Sequence, residues 1–275
     1  MMGAIMGDIV GSRFEFNNHK SKDFSLFTPD CQVTDDSIMS LSLAKALMET
    51  EKRLEARPGG FDQDYYSLLE KMALRYMQEI GRKYPHCGYG GRFARWIFSD
   101  KPRPYNSYGN GAAMRISPIG FFAKSEEEVF ALSEAVTKVS HNHKEGLKGA
   151  EATALAIFMA RQGSSKGQIR DRINRDYYPL DFTIDQIRDT YSFNETCQAT
   201  VPQAIQAFIE STSFEDAIRT AISLGGDSDT LAAITGSIAQ AYYGLPLALE
   251  QEALSYLDKQ LLEIYLDWTE FLSRV

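Results

Sequence analysis

Apolar positions along the chain recur mostly at intervals of three and four residues, the spacing of helices that each bury one face. Between Asp62 and Ile80 the stripe runs Tyr65, Leu69, Met72, Tyr76 and Ile80. Asp62 is placed to cap that helix and Gly81 to stop it. Ser125 with Glu128, ahead of Val129, Leu132 and Val136, reads as a capping box, and Thr183 with Gln186 as a second. Further helices are predicted at 37–49, 144–162, 202–210, 214–224, 228–243 and 248–272, several of them rich in Ala and Leu. The stretch 112–122 reads as a helix broken near Pro118. No segment alternates steadily, and Asn110-Gly111 joins no β-branched runs, so no hairpin is expected. The pattern predicts an all-α chain of roughly ten or more helices. It is expected to form one compact domain over residues 1–275, with no low-complexity linker and no internal repeat. Gly and Pro gather at 81–109, which reads as one long functional loop.

The first helix carries Gly3, Gly7 and Gly11 at every fourth position, so one of its faces lacks side chains. That suits close packing against another helix, or a backbone that approaches a buried site. Glu15 follows one turn later.

Composition narrows the classes. With 275 residues, 44% hydrophobic and 24% charged, the chain is neither disordered nor fibrous. A net charge of −8 argues against broad nucleic-acid binding and leaves room for a nucleotide-sized ligand in a local site. The opening MMGAIMGDIVGSRFEF has no basic start, and Asp8 interrupts its apolar run, so no signal peptide is expected. No apolar run reaches membrane-spanning length. Cys31, Cys87 and Cys197 are odd in number and far apart, with no CxxC. Neither a zinc ribbon nor a disulfide scaffold follows, and a reducing cytoplasm and a monomer or weak dimer are expected.

Two short motifs share one chemistry. Thr34-Asp35-Asp36-Ser37 precedes an apolar helix, and Gly225-Gly226-Asp227-Ser228-Asp229-Thr230 opens another. Each is an ordinary helix start, because Thr, Asp and Ser are favoured caps. Each is also a set of hard oxygen donors suited to magnesium, manganese or calcium. If the two sets converge, repulsion raises carboxylate pKa values, and two divalent cations about 3.5–4 Å apart relieve it. A third motif, Ser107-Tyr108-Gly109-Asn110-Gly111-Ala112-Ala113-Met114-Arg115, places a glycine turn before a helix. Such a turn is common, and it also exposes N–H groups to phosphate oxygens. In Ser140-His141-Asn142-His143 the histidines lie two apart, with no cysteine or third histidine nearby. A substrate-contacting or structural histidine is favoured over a zinc ligand. Asp227-Ser228-Asp229-Thr230 also fits the D-x-D-x-T of aspartyl phosphatases, but the βα alternation that carries that motif is missing.

Taken in order, the glycine-rich first helix ending at Glu15, TDDS, YGNGAAMR, the Ser-His pair and GGDSDT resemble the ADP-ribosylglycohydrolase family through nearly the whole chain. The resemblance implies an all-α orthogonal fold with a binuclear Mg2+ or Mn2+ centre. Its ligands would be Thr34, Asp35, Asp36, Asp227, Asp229 and Thr230. Glu15 would be the acid on a segment beside the metals. Ser107, Tyr108, Gly109, Asn110 and Gly111 would hold the diphosphate and distal ribose, and His141 would touch the ligand. The implied substrate is a protein or small molecule carrying ADP-ribose at its distal anomeric carbon. Asp36 or Glu15 would act as base or orient water, with Asp35 and Asp227 helping to stabilise positive charge on the ribose. Tyr108 or another loop aromatic would stack on adenine. A non-catalytic ADP-ribose binder is the alternative.

Overall fold

The computed structural model describes residues 1–54 and 62–274, so the expected domain limits of 1–275 include positions outside the described residues. The all-α expectation holds. Helices α1 (Met2–Gly11), α2 (Asp35–Leu54), α3 (Gln63–Gly81), α4 (Gly91–Phe98) and α5 (Gly111–Met114) are followed by α6 (Ser117–Phe122), α7 (Glu126–Thr137) and α8 (Lys144–Arg161). Then come α9 (Lys166–Asp176), α10 (Ile184–Ile187), α11 (Cys197–Glu210), α12 (Phe214–Ile222), α13 (Ser228–Tyr243), α14 (Leu247–Leu254) and α15 (Lys259–Leu272). Among the described residues there is no strand, only an isolated antiparallel bridge between Gly109 and Thr196. No described helix is long and apolar enough to cross a membrane. The three cysteines are free.

One apolar cluster runs through the molecule from Met2 to Trp268. At its centre α1, every residue of which is buried, lies along α13. The glycine stripe explains the fit. A Cβ on Gly3 would fall 2.2 Å from the Gly236 carbonyl oxygen, and one on Gly7 would fall 2.0 Å from that of Ala232. At Gly11 the obstacle is the α-carbon of Asp229, 2.5 Å away. The two backbones are therefore in direct contact, and α1 delivers its residues to the start of α13.

The stripe at 62–80 is buried as predicted, and Asp62 accepts from the Tyr65 N–H at 2.9 Å. Helix α3 ends at Gly81, its last residue, where a Cβ would meet the Tyr89 hydroxyl at 2.8 Å. Thr183 and Gln186 form the expected reciprocal box. At α7 the exchange is shifted: Ser125 accepts from Glu128 N–H at 3.3 Å, but the Glu128 carboxylate reaches the N–H of Lys124, at 2.7 Å.

Several boundaries differ from expectation: α2 runs on to Leu54 rather than 49, and α9 falls where no helix was expected. The stretch 81–109 contains α4, because Phe93, Trp96 and Ile97 are spaced to bury one face of a helix. Helix α11 starts at Cys197 and carries Pro202 in its interior, forgoing one backbone hydrogen bond. The single helix at 248–272 is two, since Asp258 accepts from Leu261 N–H at 2.9 Å and starts α15 anew.

Candidate active site

The starts of α2 and α13 meet where α1 ends. Neither acidic motif is a simple cap. Asp227 occupies the N-cap of α13 without capping it, and its carboxylate instead accepts from the Asn110 side-chain amide at 2.7 Å. Gly225 and Gly226, at φ of +65° and +75°, hold the left-handed backbone that turns the chain into this start. The Thr34 hydroxyl donates to Asp8.

Asp8 is the organising residue. It is fully buried on α1, and it receives the N–H and hydroxyl of both Thr34 and Ser37. It thus fastens the first turn of α2 to α1. Replacing Asp8 with Ala leaves two backbone N–H groups without their acceptor, and is expected to lower the unfolding free energy by about 1–3 kcal/mol in urea titrations. Asp8→Asn, whose amide oxygen can replace Oδ2, is expected to lose less.

Two carboxylate groups result. Oxygens of Asp8, Asp36 and Asp229 lie within 4.8 Å of one another, and so do those of Glu15, Asp227 and Asp229. Asp229 belongs to both. Asp35 belongs to neither group, though it lines the same cavity. Thr230 donates weakly to Asp36 Oδ2, at 3.4 Å, while Asp36 Oδ1 is buried with no hydrogen-bond partner.

Electrostatics follow from this crowding. Burial above all, then the Asp227, Asp8 and Glu195 carboxylates, raises Glu15 to about 7. Burial lifts Asp8 to about 6 despite its hydrogen bonds from Ser37 and Thr34. Asp35, Asp36 and Asp229 are pushed well above the ordinary carboxylate range, by burial first and by neighbouring acids second. Charges buried this close need a counter-charge. The donor set is all hard oxygen, and the unpartnered Asp36 oxygen is a vacant lone-pair site of the kind a divalent cation fills.

Glu15, Asp35, Asp36, Asp227 and Asp229 line a cavity of about 240 Å³. Its opposing wall comes from the third motif. Ser107, Gly109, Asn110 and Gly111 line it, and Asn110 N–H is clipped to the Glu195 carbonyl at 2.7 Å. His141 also lines it. The buried Arg115 donates to Ser140 Oγ at 2.8 Å and to His141 Nδ1 at 3.3 Å. Arginine only donates, so Nδ1 accepts and Nε2 carries the proton. Burial, then Arg115 and Arg92, keeps this ring neutral by holding it well below the ordinary histidine range. Nε2 lies 3.4 Å from where a Cβ on Gly111 would sit and 3.6 Å from one on Gly109. Glycine at both positions leaves that N–H open to the cavity. Tyr108 is not on this wall. It is 43% exposed, with its ring 5.1 Å from His143.

The sequence profile of ADP-ribosylglycohydrolase matches residues 1–273. The chain belongs to the ADP-ribosylglycohydrolase family. It is 26% identical to ADP-ribosylhydrolase ARH3 of Homo sapiens, over 95% of this chain and 90% of that protein. It is also 26% identical to ADP-ribosylarginine hydrolase Tri1 of Pseudomonas putida, over 89% of this chain and 70% of that protein. A solved structure described as an ADP-ribosylglycohydrolase-related protein complex shares the fold, with a TM-score of 0.64 at 22% identity, covering 97% of this chain and 95% of that one.

In this ADP-ribosylglycohydrolase-family chain, the motifs leave several cavity residues unidentified. Asp8, buried and not itself lining the cavity, had one signal, an acid inside an otherwise apolar glycine-striped helix. Phe193 and Glu195 line the cavity from a segment without any motif, and Arg92, Phe93 and Tyr105 do so from the stretch 81–109.

Proposed function

We propose that the protein hydrolyses the distal-ribose glycosidic or ester bond of ADP-ribosylated side chains or small molecules, releasing ADP-ribose with the aid of two Mg2+ or Mn2+ ions. The family membership supports the reaction class. The observation that carries the metal reading is the pair of carboxylate groups sharing Asp229. Asp8, Asp36 and Asp229 would face one ion, and Glu15, Asp227 and Asp229 the other, with Thr34, Asp35 and Thr230 alongside. Bound there, divalent cations supply charge compensation, Lewis acidity and a water of lowered pKa.

The chain's own residues account for the rest. Loop 107–111 and the His141 Nε2–H bind the diphosphate and ribose oxygens. As the glycosidic bond lengthens, positive charge grows on the ribose, and the carboxylates of Asp36, Asp227 and Asp229 stabilise it. Glu15 lines the cavity beside Asp227 and Asp229, where its carboxylate can take a proton from the attacking water. Phe93 and Tyr105 offer the cavity flat faces for adenine, whereas Tyr108 would have to turn inward.

A release assay over arginine-, serine- and acetyl-linked ADP-ribose tests this. ADP-ribose is expected from at least one linkage with Mg2+ or Mn2+, and none in EDTA. Tight ADP-ribose binding with no release from any substrate would establish the non-catalytic alternative.

A further inference from the structure

Beside the main cavity lies a second cleft of about 200 Å³, lined by Arg92, Arg95, Trp96, Arg103 and Tyr105 among others. Arg92 and Tyr105 line both spaces, so the two adjoin. The cleft is basic in an acidic protein. Residues 82–105 carry Arg82, Lys83, Arg92, Arg95, Lys101 and Arg103 against the single acid Asp100, whereas the whole chain has a net charge of −8. Arg92 is fixed, with its guanidinium 4.9 Å from the Tyr105 ring centroid and donating to the Tyr105 carbonyl. Trp96 is anchored by its indole N–H to the Val139 carbonyl at 3.1 Å. The side chains of Arg95 and Arg103 are exposed and make no ion pair or hydrogen bond among the described residues. Two uncommitted guanidiniums therefore stand over a rigid aromatic floor.

Resting on the function proposed above, the direction of the ligand follows. Its reactive ribose must reach the carboxylates. The base and its ribose then lie towards the rings of Phe93, Tyr105 and His141, which stand 5.9 and 5.7 Å from one another through His141. The arginine cleft opens beyond those rings. We propose that it binds a phosphate carried on the adenosine ribose, beyond the diphosphate of a single ADP-ribose unit. Guanidinium forks fit phosphate oxygens, and the distant carboxylates would repel a phosphate placed the other way round. The ligand is then an ADP-ribose that bears a 2′-phosphate monoester on its adenosine ribose.

Calorimetry with ADP-ribose and ADP-ribose 2′-phosphate tests the cleft. At low salt the 2′-phosphate is expected to bind about tenfold or more tightly than ADP-ribose, an advantage that shrinks as salt rises. The double substitution Arg95→Ala/Arg103→Ala should abolish the advantage and leave ADP-ribose affinity unchanged. Equal affinity for both ligands, or an advantage that survives the double substitution, overturns the proposal. Failure of ADP-ribose itself to bind would instead overturn the functional reading on which it rests.

Discussion

Asp229→Asn is expected to slow ADP-ribose release by about a thousandfold, the scale of removing one preorganised electrostatic group. Asp229 is the carboxylate common to both groups, so its loss weakens both proposed cation positions at once. Without divalent cations the same substitution should raise thermal stability. The Asp229 carboxyl is held above its ordinary range by burial, Asp227 and Asp36, so ionising it works against the folded state. A variant that is inactive yet more stable in EDTA separates a catalytic defect from a folding one. Unchanged turnover would remove Asp229 from the mechanism.

The second large effect is linkage between acid, cation and fold. Asp8 titrates near 6 when folded against an ordinary 3.8, and Glu15 near 7 against 4.5. Folded pKa values above unfolded ones mean that the native state binds more protons between about pH 4 and 7. Stability of the cation-free protein must then rise as pH falls through that window. Asp8 alone contributes about 1 kcal/mol between pH 6 and 5. With saturating Mg2+ or Mn2+ the order should reverse, since protons then compete with the ions for the same oxygens. Adding ADP-ribose at about a thousand times its Kd should stabilise the cation-loaded protein by a further 4 kcal/mol or so, and the EDTA-treated protein far less. Equal melting shifts with and without cation would count against a metal-assisted site.

How much of this was legible beforehand depended on the kind of signal. Helices with long stripes, such as 62–80, are read directly, because burial imposes the period. Breaks are harder. The apolar spacing hardly falters between α14 and α15, and only Asp258 marks the second start. Pro202 misleads in the opposite sense, since tertiary packing carries α11 through a residue that usually opens a helix. At the site, acids at helix starts announced themselves by motif, and the fold brings both sets together around α1. Asp8 did not, because a lone acid in an apolar stretch gains its meaning only when Thr34 and Ser37 are seen to converge on it. Phe193 and Glu195 lie in a segment without any motif, and they and Arg92 reach the cavity only through the path of the chain.

The glycine-to-backbone seam between α1 and α13 has a consequence for which parts of the protein can breathe. Helices in such contact have no side-chain layer through which they can loosen by degrees. The carboxylate pairs they carry should keep their spacing through every sub-global opening and lose it only when the whole molecule unfolds. Local opening is left to elements outside this seam, so the carboxylate frame stays constant while they move.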